Sequence, residues 1–313
     1  MDLIKIDYKK LDIEYYNQFI KKCNNVTPFH NIEWLLIINE IRKDLNLKFF
    51  IIKENEKYIA IMPFFEKYNM TFIMSSLPYS CYGGFAYNSI NEKEIKIFLK
   101  ENNILKNKIT MIVSKDDLYC NLLSFRETLY TYVINCNNNY DTVFSRFSTK
   151  TRNQVRKALK SDVEYKLAET DQEVNECIEL YNLLIKKHNI KRPYNRNLFY
   201  LLKKYNNTSI NFWIAKYNGT VIAYSVFVSS SDAIFYWLSS FDNKFSKLNA
   251  PLGILSIIIQ KACKDNKIVN LGAVPYDNEG LKHFKKGLGA EEVGYGFYYS
   301  TGYAFIKKLR EIV

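Results

Sequence analysis

Residues 148–160 read STKTRNQVRKALK, with five cations (Lys150, Arg152, Arg156, Lys157, Lys160) and no acid. Val155 and Leu159 supply a narrow apolar stripe, so the segment predicts a helix with one buried edge. Arg152 and Arg156 stand four apart on one helical face, where like charges repel unless an anion bridges them. A phosphate fits, because guanidinium groups grip its oxygens in pairs. A plain solvated helix face accounts for the same pattern. Residues 279–291, EGLKHFKKGLGAE, place Gly280, Gly287 and Gly289 around a short helix carrying Lys282, Lys285 and Lys286. Glycines let backbone N–H groups approach a ligand, and Lys285 beside them can steady a developing oxyanion, with Phe284 next to it in the binding surface. A capping turn explains the glycines equally well. Residues 78–85, PYSCYGGF, offer Tyr82, Gly83 and Gly84 as a third candidate binding stretch. Residues 186–196, KKHNIKRPYNR, add further cations at a helix end, which the helix dipole alone explains.

Other chemistries find little support. Cys81 has no His or acid near it in sequence to activate it, so a structural thiol is expected. His30, His188 and His283 are too dispersed for a triad or a metal set. Thr27 or Asn31 serves as a helix N-cap beside His30. The six cysteines (Cys23, Cys81, Cys120, Cys136, Cys177, Cys263) show no C-x-x-C spacing and no zinc pattern, so free thiols and no metal are expected. Phosphate-binding and dinucleotide-binding glycine fingerprints are absent, as is H-E-x-x-H.

The elements that must hold these segments come in two matching sets. Residues 49–63 read FFIIKENEKYIAIMP, a β run, a polar turn and a second β run. Residues 212–226, FWIAKYNGTVIAYSV, repeat the design in register: Phe49 with Phe212, Lys53 with Lys216, Asn55 with Asn218, Ala60 with Ala223. Asn218-Gly219 is the stronger hairpin signal. A third β run follows each hairpin, at 71–76 and 234–239, then a helix at 92–102 and 253–265, then a strand at 108–113 and 267–272. A helical crossover sets its flanking strands parallel. The whole succession in one order implies internal duplication. Helices at 31–44, and at 148–160 with 171–188, precede the hairpins. The polar stretch 135–139 reads as a linker, which gives domains 1–138 and 139–313, the last strand packing back on the first domain. The expected class is α/β with mixed sheets flanked by helices, and ligands are expected beyond the strand ends.

Composition sets the outer limits. With 48% hydrophobic and 24% charged residues the chain belongs among folded globular proteins. A formal net charge of +12 favours polyanionic partners, namely nucleic acid, phosphate-rich carriers or an anionic membrane surface, although a lysine-coated surface produces the same number. The amino-terminal stretch lacks a signal-peptide core, and the apolar runs near 34–41 and 252–263 are shorter than the roughly 20 residues that span a bilayer. A cytoplasmic monomer is expected, with peripheral membrane contact left open.

Three stretches resemble the Fem group of GNAT-related aminoacyltransferases, which extend peptidoglycan stem peptides from aminoacyl-tRNA. TKTRNQVRKALK is similar to the basic helix that opens that family's second half. KLNAPLGILSIIIQKACKDNKIVNLGAVP is similar to its helix and following strand. EGLKHFKKGLGAE is similar to its Gly-Leu and Phe-Lys-x-Gly-Phe-Gly signature, here Gly280, Leu281, Phe284, Lys285, Gly287, Leu288 and Gly289. TPFHNIEWL and YSCYGGF also look familial. The sequence departs at Asn270, where the family has aspartate, and at Leu288, where it has phenylalanine. At 244–253 the glycine-rich pyrophosphate loop of ordinary GNAT enzymes is replaced by KFSKLNAPLG, which favours a carrier other than acetyl-CoA.

The resemblance implies tandem GNAT-like domains and transfer of an aminoacyl group from aminoacyl-tRNA to an amine on a nucleotide- or lipid-linked cell-envelope precursor, with no tightly bound cofactor. Acyl-CoA or acyl-carrier protein as donor to an amino sugar or peptide is the enzymatic alternative. A non-catalytic basic module binding RNA or lipid is the other. On the first reading Lys285 stabilises the oxyanion, Arg152 and Arg156 hold phosphates, and the reaction occupies a groove between the halves.

Overall fold

The computed structural model describes residues 1–23, 25–67, 74–75, 77, 81–88, 92–101, 109–114, 124–275 and 278–299. The chain divides into two compact units, Met1–Tyr130 with Gly294–Val313, and Thr131–Val293. The division falls ahead of the 138/139 boundary expected from the polar stretch, because residues 131–135 are strand and already pair within the second unit.

In the first unit β1 (Asp2–Asp7) is followed by α1 (Ile13–Ile20), whose N-cap Asp12 accepts from the Tyr15 N–H. Helix α2 (Ile32–Ile41) buries Trp34, Leu35, Ile37 and Ile38, as its broad apolar face requires. Strands β2 (Leu45–Glu54) and β3 (Lys57–Lys67) form the first hairpin, Phe50 opposite Met62, and β1 pairs on the outer side of β2. Asn55 and Glu56 turn the hairpin at φ 47° and 61°. Strand β4 (Met74–Ser75) is antiparallel to β3, and β5 (Ala86–Tyr87) also pairs with β3. Helix α3 (Glu92–Glu101) leads towards β6 (Ile109–Ser114), which runs parallel to β4, Met74 opposite Ile109. Of the third β run expected at 71–76, only 74–75 lies within the described residues. Residues 295–299 pair antiparallel with β6, Tyr295 opposite Ser114.

The second unit takes the end of β7 (Ser124–Asn135), then α4 (Tyr140–Ser145), α5 (Thr149–Lys160), β8 (Glu164–Leu167), α6 (Asp171–His188) and α7 (Asn197–Lys204). Strands β9 (Ile210–Tyr217), β10 (Thr220–Ser229) and β11 (Ala233–Phe241) follow, then a 3-10 stretch (Asn243–Leu248), α8 (Ala250–Lys264), β12 (Ile268–Ala273), α9 (Glu279–Gly287) and the start, Glu291–Val293, of β13 (Glu291–Tyr299). Within this unit β8, β9, β10 and β11 are antiparallel neighbours, β11 and β12 are parallel, and β12 meets β7 antiparallel. The second hairpin turns at Asn218 and Gly219, both at positive φ. Both units therefore carry an antiparallel hairpin followed by a parallel pair with a helix between its strands. That is the repeated design read from the sequence.

Helices cover both faces of the second sheet. Helix α8 buries Ile254, Leu255, Ile258 and Ile259 in one core with Ala223, Phe227 and Val269. Tyr224, one residue along from Ala223, points the other way and meets the Phe199 ring of α7 at 5.8 Å. Helix α6 starts from a capping box: the Thr170 side chain accepts from the Glu173 N–H while Glu173 reaches back to the Thr170 N–H. Burial opposes the charge on Glu173, but backbone N–H groups of Glu169 and Thr170, with Lys216 and Lys166, hold its pKa at about 2. A lowered folded-state pKa stabilises the fold above the ordinary carboxylate range. That contribution should disappear as pH falls from about 4.5 through about 2. Glu173→Gln is expected to cost roughly 2–3 kcal/mol at pH 7 in urea unfolding, with the difference from the parent protein shrinking across that acid window.

Candidate functional site

The site in the second unit begins with a fork between two parallel strands. Strand β11 pairs with β12 only from Ala233 to Phe235, opposite Ile268 to Asn270, yet it runs on to Phe241. Strand β12 bends away at this point, its pairing with β7 shifting register between Asn270 and Ala273. Asn270 fixes the bend. Its fully buried Oδ1 accepts from the Gly272 N–H at 2.8 Å and from Thr131 Oγ1 at 2.6 Å. Gly272 sits at φ +79°, a conformation that leaves little room for a side chain.

The bend turns two carbonyls towards α9. Lys285 donates from Nζ to Gly272 O at 2.8 Å and to Ala273 O at 3.0 Å. The side chain is 3% exposed, and burial pushes its pKa down to about 8. Among the described residues no carboxylate pairs with it. It lies instead 5.8 Å from the centre of the Tyr132 ring, whose hydroxyl donates to Glu292. The Glu292 hydrogen bond and burial lift the Tyr132 pKa to about 12, so the phenol stays neutral. An ammonium with two N–H groups fixed keeps a third to offer beside the fork. Tyr132 and Glu292 escaped the sequence reading. They lie far apart in the chain, and no motif joins them.

The glycines of the same signature do other work. The Gly287 carbonyl accepts the Ser148 N–H at 2.8 Å, and a Cβ there would stand 2.9 Å from Thr151 Oγ1. Gly289, at φ +68°, packs against Arg146, and its N–H donates to Lys286 O. Both glycines dock the end of α9 onto the start of α5 instead of presenting N–H groups to a ligand. Phe284 packs on the core, Leu288 is buried within it, and Gly280 is exposed in the first turn of α9. Of the expected signature residues, Lys285 alone keeps a candidate catalytic place.

The basic helix is also turned differently from the expectation. The buried face of α5 is Thr151, Val155 and Ala158, while Leu159 is 48% exposed. Arg152 is engaged at home: it donates to the carbonyls of Ser145 and Phe147 and to Thr149 Oγ1. Arg156 lies over the Phe144 ring at 5.4 Å and bonds Asn153 Oδ1. The pair packs on the α4–α5 junction, Arg152 by hydrogen bonds and Arg156, which stays exposed, over a ring. The neighbouring face, spaced i, i+3, i+4 and i+7, borders a surface depression. Lys150, Asn153, Gln154 and Lys157 line a cleft of about 490 Å³ with Ser246, Lys247 and Asn249 of the segment leading into α8. Three lysines and no acid face it. Lys247 comes from a distant stretch, which is why periodicity along α5 alone did not reveal the cleft.

Tyr82, Gly83 and Gly84 belong to the first unit and are tied to the turn at Pro28–His30. The Tyr82 carbonyl accepts from Thr27 Oγ1 at 2.8 Å, and its half-buried ring meets Phe29 and Tyr295. A Cβ on Gly83 would collide with Leu77. His30 Nδ1 accepts from the Thr27 N–H, so Nε2 carries the hydrogen and donates to Gly84 O at 3.0 Å. Burial lowers the His30 pKa and keeps the ring neutral. Thr27 caps this turn, whereas Asn31 ends its side chain on Pro28 O. Packing against Leu77 accounts for Gly83 without a ligand. Cys81 is buried, and burial raises its pKa well above the ordinary range, as expected for a structural thiol. His188 and His283 are exposed. Pro78, Tyr79, Ser80 and Cys120 lie outside the described residues. Among the described residues no group of His, Cys, Asp and Glu can hold a metal ion, and no helix is long and apolar enough to cross a membrane.

Residues 145–286 match the acetyltransferase (GNAT) domain family, so the second unit carries a GNAT domain. The whole chain is similar in fold to the crystal structure of FemX, with a TM-score of 0.75 at 11% identity and full coverage of both chains. It is similar also to L-PGS from Bacillus licheniformis (TM-score 0.59, 14% identity, 93% of this chain and 92% of that one). A tandem GNAT protein from the clavulanic acid biosynthesis pathway gives a TM-score of 0.52 at 6% identity, covering 95% of this chain and 98% of that one. The chain therefore has a tandem GNAT-like α/β fold. No curated protein matches it in sequence.

Proposed function

We propose that the chain is an N-acyltransferase of the aminoacyl type, moving an aminoacyl group from charged tRNA to an amine on a nucleotide- or lipid-linked cell-envelope precursor in the cytoplasm. The observation that carries this reading is Lys285, a buried cation without a carboxylate partner among the described residues, held by two carbonyls beside the β11–β12 fork. A charge so placed favours a substrate that develops negative charge there. The acceptor attacks as the neutral amine, since an ammonium has no lone pair to give. A C–N bond forms, the ester C–O bond breaks, and the proton lost by the amine leaves on the released ribose oxygen. The third N–H of Lys285 meets the carbonyl oxygen while it carries charge. The lysine-lined cleft of Lys150, Lys157 and Lys247 is the candidate seat for the donor's phosphates.

FemX and L-PGS are similar in fold to this chain, which supports an aminoacyl donor. The tandem GNAT fold equally admits acyl-CoA, and the three lysines suit its phosphates too. Binding separates the two. Charged tRNA is expected to bind, weakening steeply as salt rises, while acyl-CoA binds poorly. Lys157→Ala combined with Lys247→Ala should weaken tRNA binding about tenfold and flatten its salt dependence. Tight acyl-CoA binding that the double variant abolishes would transfer the proposal to a CoA donor. Failure to consume any activated donor would leave a non-catalytic binding module.

A further inference from the structure

The loop between α6 and α7 carries a second concentration of charge that acyl transfer does not use. Between residues 180 and 231 the chain has eight Lys or Arg and no Asp or Glu. Five of these cations, Lys186, Lys187, Lys191, Arg192 and Arg196, are exposed around the loop. None of the five is held in an ion pair among the described residues. The helix dipole accounts for Lys186 and Lys187 in the last turn of α6. It does not account for Lys191, Arg192 and Arg196, which lie beyond that helix.

Apolar groups stand among the cations. Leu183 is 48% exposed on the face of α6 that carries Lys186 and Lys187 three and four residues later. Ile190 is half-buried and Pro193 is exposed. The loop is also fixed in shape. Asn189 closes α6 at φ 47°, and the Ile190 N–H donates to Ile185 O at 3.1 Å. The Tyr194 N–H donates to Tyr181 Oη at 3.0 Å, and its ring packs on Trp237 of β11 at 5.1 Å.

This arrangement separates two kinds of polyanion. Single-stranded nucleic acid is bound by basic grooves with aromatic rings turned outward for stacking. Here the loop's aromatic ring, Tyr194, is half-buried and already packed on Tyr181 and Trp237, and the exposed groups are the five cations, Leu183, Pro193, His188, Asn189 and Asn195. Cations interleaved with exposed aliphatic groups suit a bilayer interface, where the aliphatic groups enter the headgroup region and the cations meet anionic lipids. We propose that residues 183–196 form a docking surface for an anionic lipid bilayer. The inference stands apart from the acyl-transfer reading and survives if that reading fails.

The test is sedimentation of the full chain with vesicles of phosphatidylcholine alone or mixed with phosphatidylglycerol. Binding is expected only to the mixed vesicles, falling as salt rises. Lys191→Ala with Arg192→Ala should weaken it by about 25-fold, at about fivefold for each cation. Leu183→Ser should weaken it roughly tenfold while leaving the salt dependence in place. All three side chains are exposed, so unchanged thermal melting confirms that the variants fold. Absent or composition-independent vesicle binding would overturn the proposal. So would variants that bind vesicles normally but lose affinity for RNA, which would assign the patch to nucleic acid.

Discussion

Replacing Lys285 by Met should lower turnover by about 10²–10³-fold, the usual cost of removing one donor to a developing oxyanion, while the protein stays folded. Met keeps the length and apolar stem of Lys, and it removes a charge that is 3% exposed and has no carboxylate partner among the described residues. Against that gain, the Gly272 and Ala273 carbonyls lose their donor, so the two effects on stability offset in part. The pH profile tests the assignment further. If the charged amine is the donor, activity should fall as pH rises through about 8, where Lys285 loses its proton. That limb should be missing from the residual activity of the variant. Unchanged turnover would remove Lys285 from the site, and activity that instead rises through about 8 would make it a base.

The largest expected loss of stability comes from Gly289→Ala, at roughly 2–4 kcal/mol, combining left-handed strain with overpacking. Gly289 adopts φ +68°, and an added Cβ would lie 2.9 Å from Arg146 Cβ and 3.1 Å from Arg146 O. Backbone cannot step aside as a flexible side-chain end can. Gly280→Ala makes the contrast, because an added Cβ there meets only Asn278 Oδ1 at 3.8 Å. It should be neutral, or stabilising by up to about 1 kcal/mol as a helix substitution. Urea unfolding of the two variants distinguishes docking glycines from ligand-approach glycines. If Gly289→Ala kept full stability but lost turnover, the ligand reading would return.

The hairpins were legible because their signals are local. Alternating runs flank Asn218-Gly219, and the copy at 49–63 shares its register, so the repeated hairpin and crossover helix needed no tertiary information. Helix α6 was legible for the same reason, its range of 171–188 running between the Thr170 cap and Asn189. Strands β1 and β8 were harder, since DLIKID and EYKL are short, polar and carry no turn signal of their own. The site was legible only in part. Lys285 could be singled out from its signature, but the carbonyls that hold it depend on a bend set by Asn270 and Thr131 from separate strands. For Arg152 and Arg156, spacing tells which residues share a face and not what that face meets. One step around α5, Lys150 and Lys157 face the cleft, joined by Lys247 from a part of the chain that periodicity cannot reach.

Lys285 is balanced by the dipoles of two carbonyls and the face of a ring, and carbonyl dipoles do not titrate. Its proton is therefore the adjustable charge of that corner of the fold. At neutral to mildly alkaline pH a fraction of the molecules lack it. An anionic donor settling nearby would draw that proton in from the buffer, and departing product would let it go again. Occupancy and protonation would then rise and fall together, tying each turnover to a small exchange of hydrogen ions with the surrounding solution.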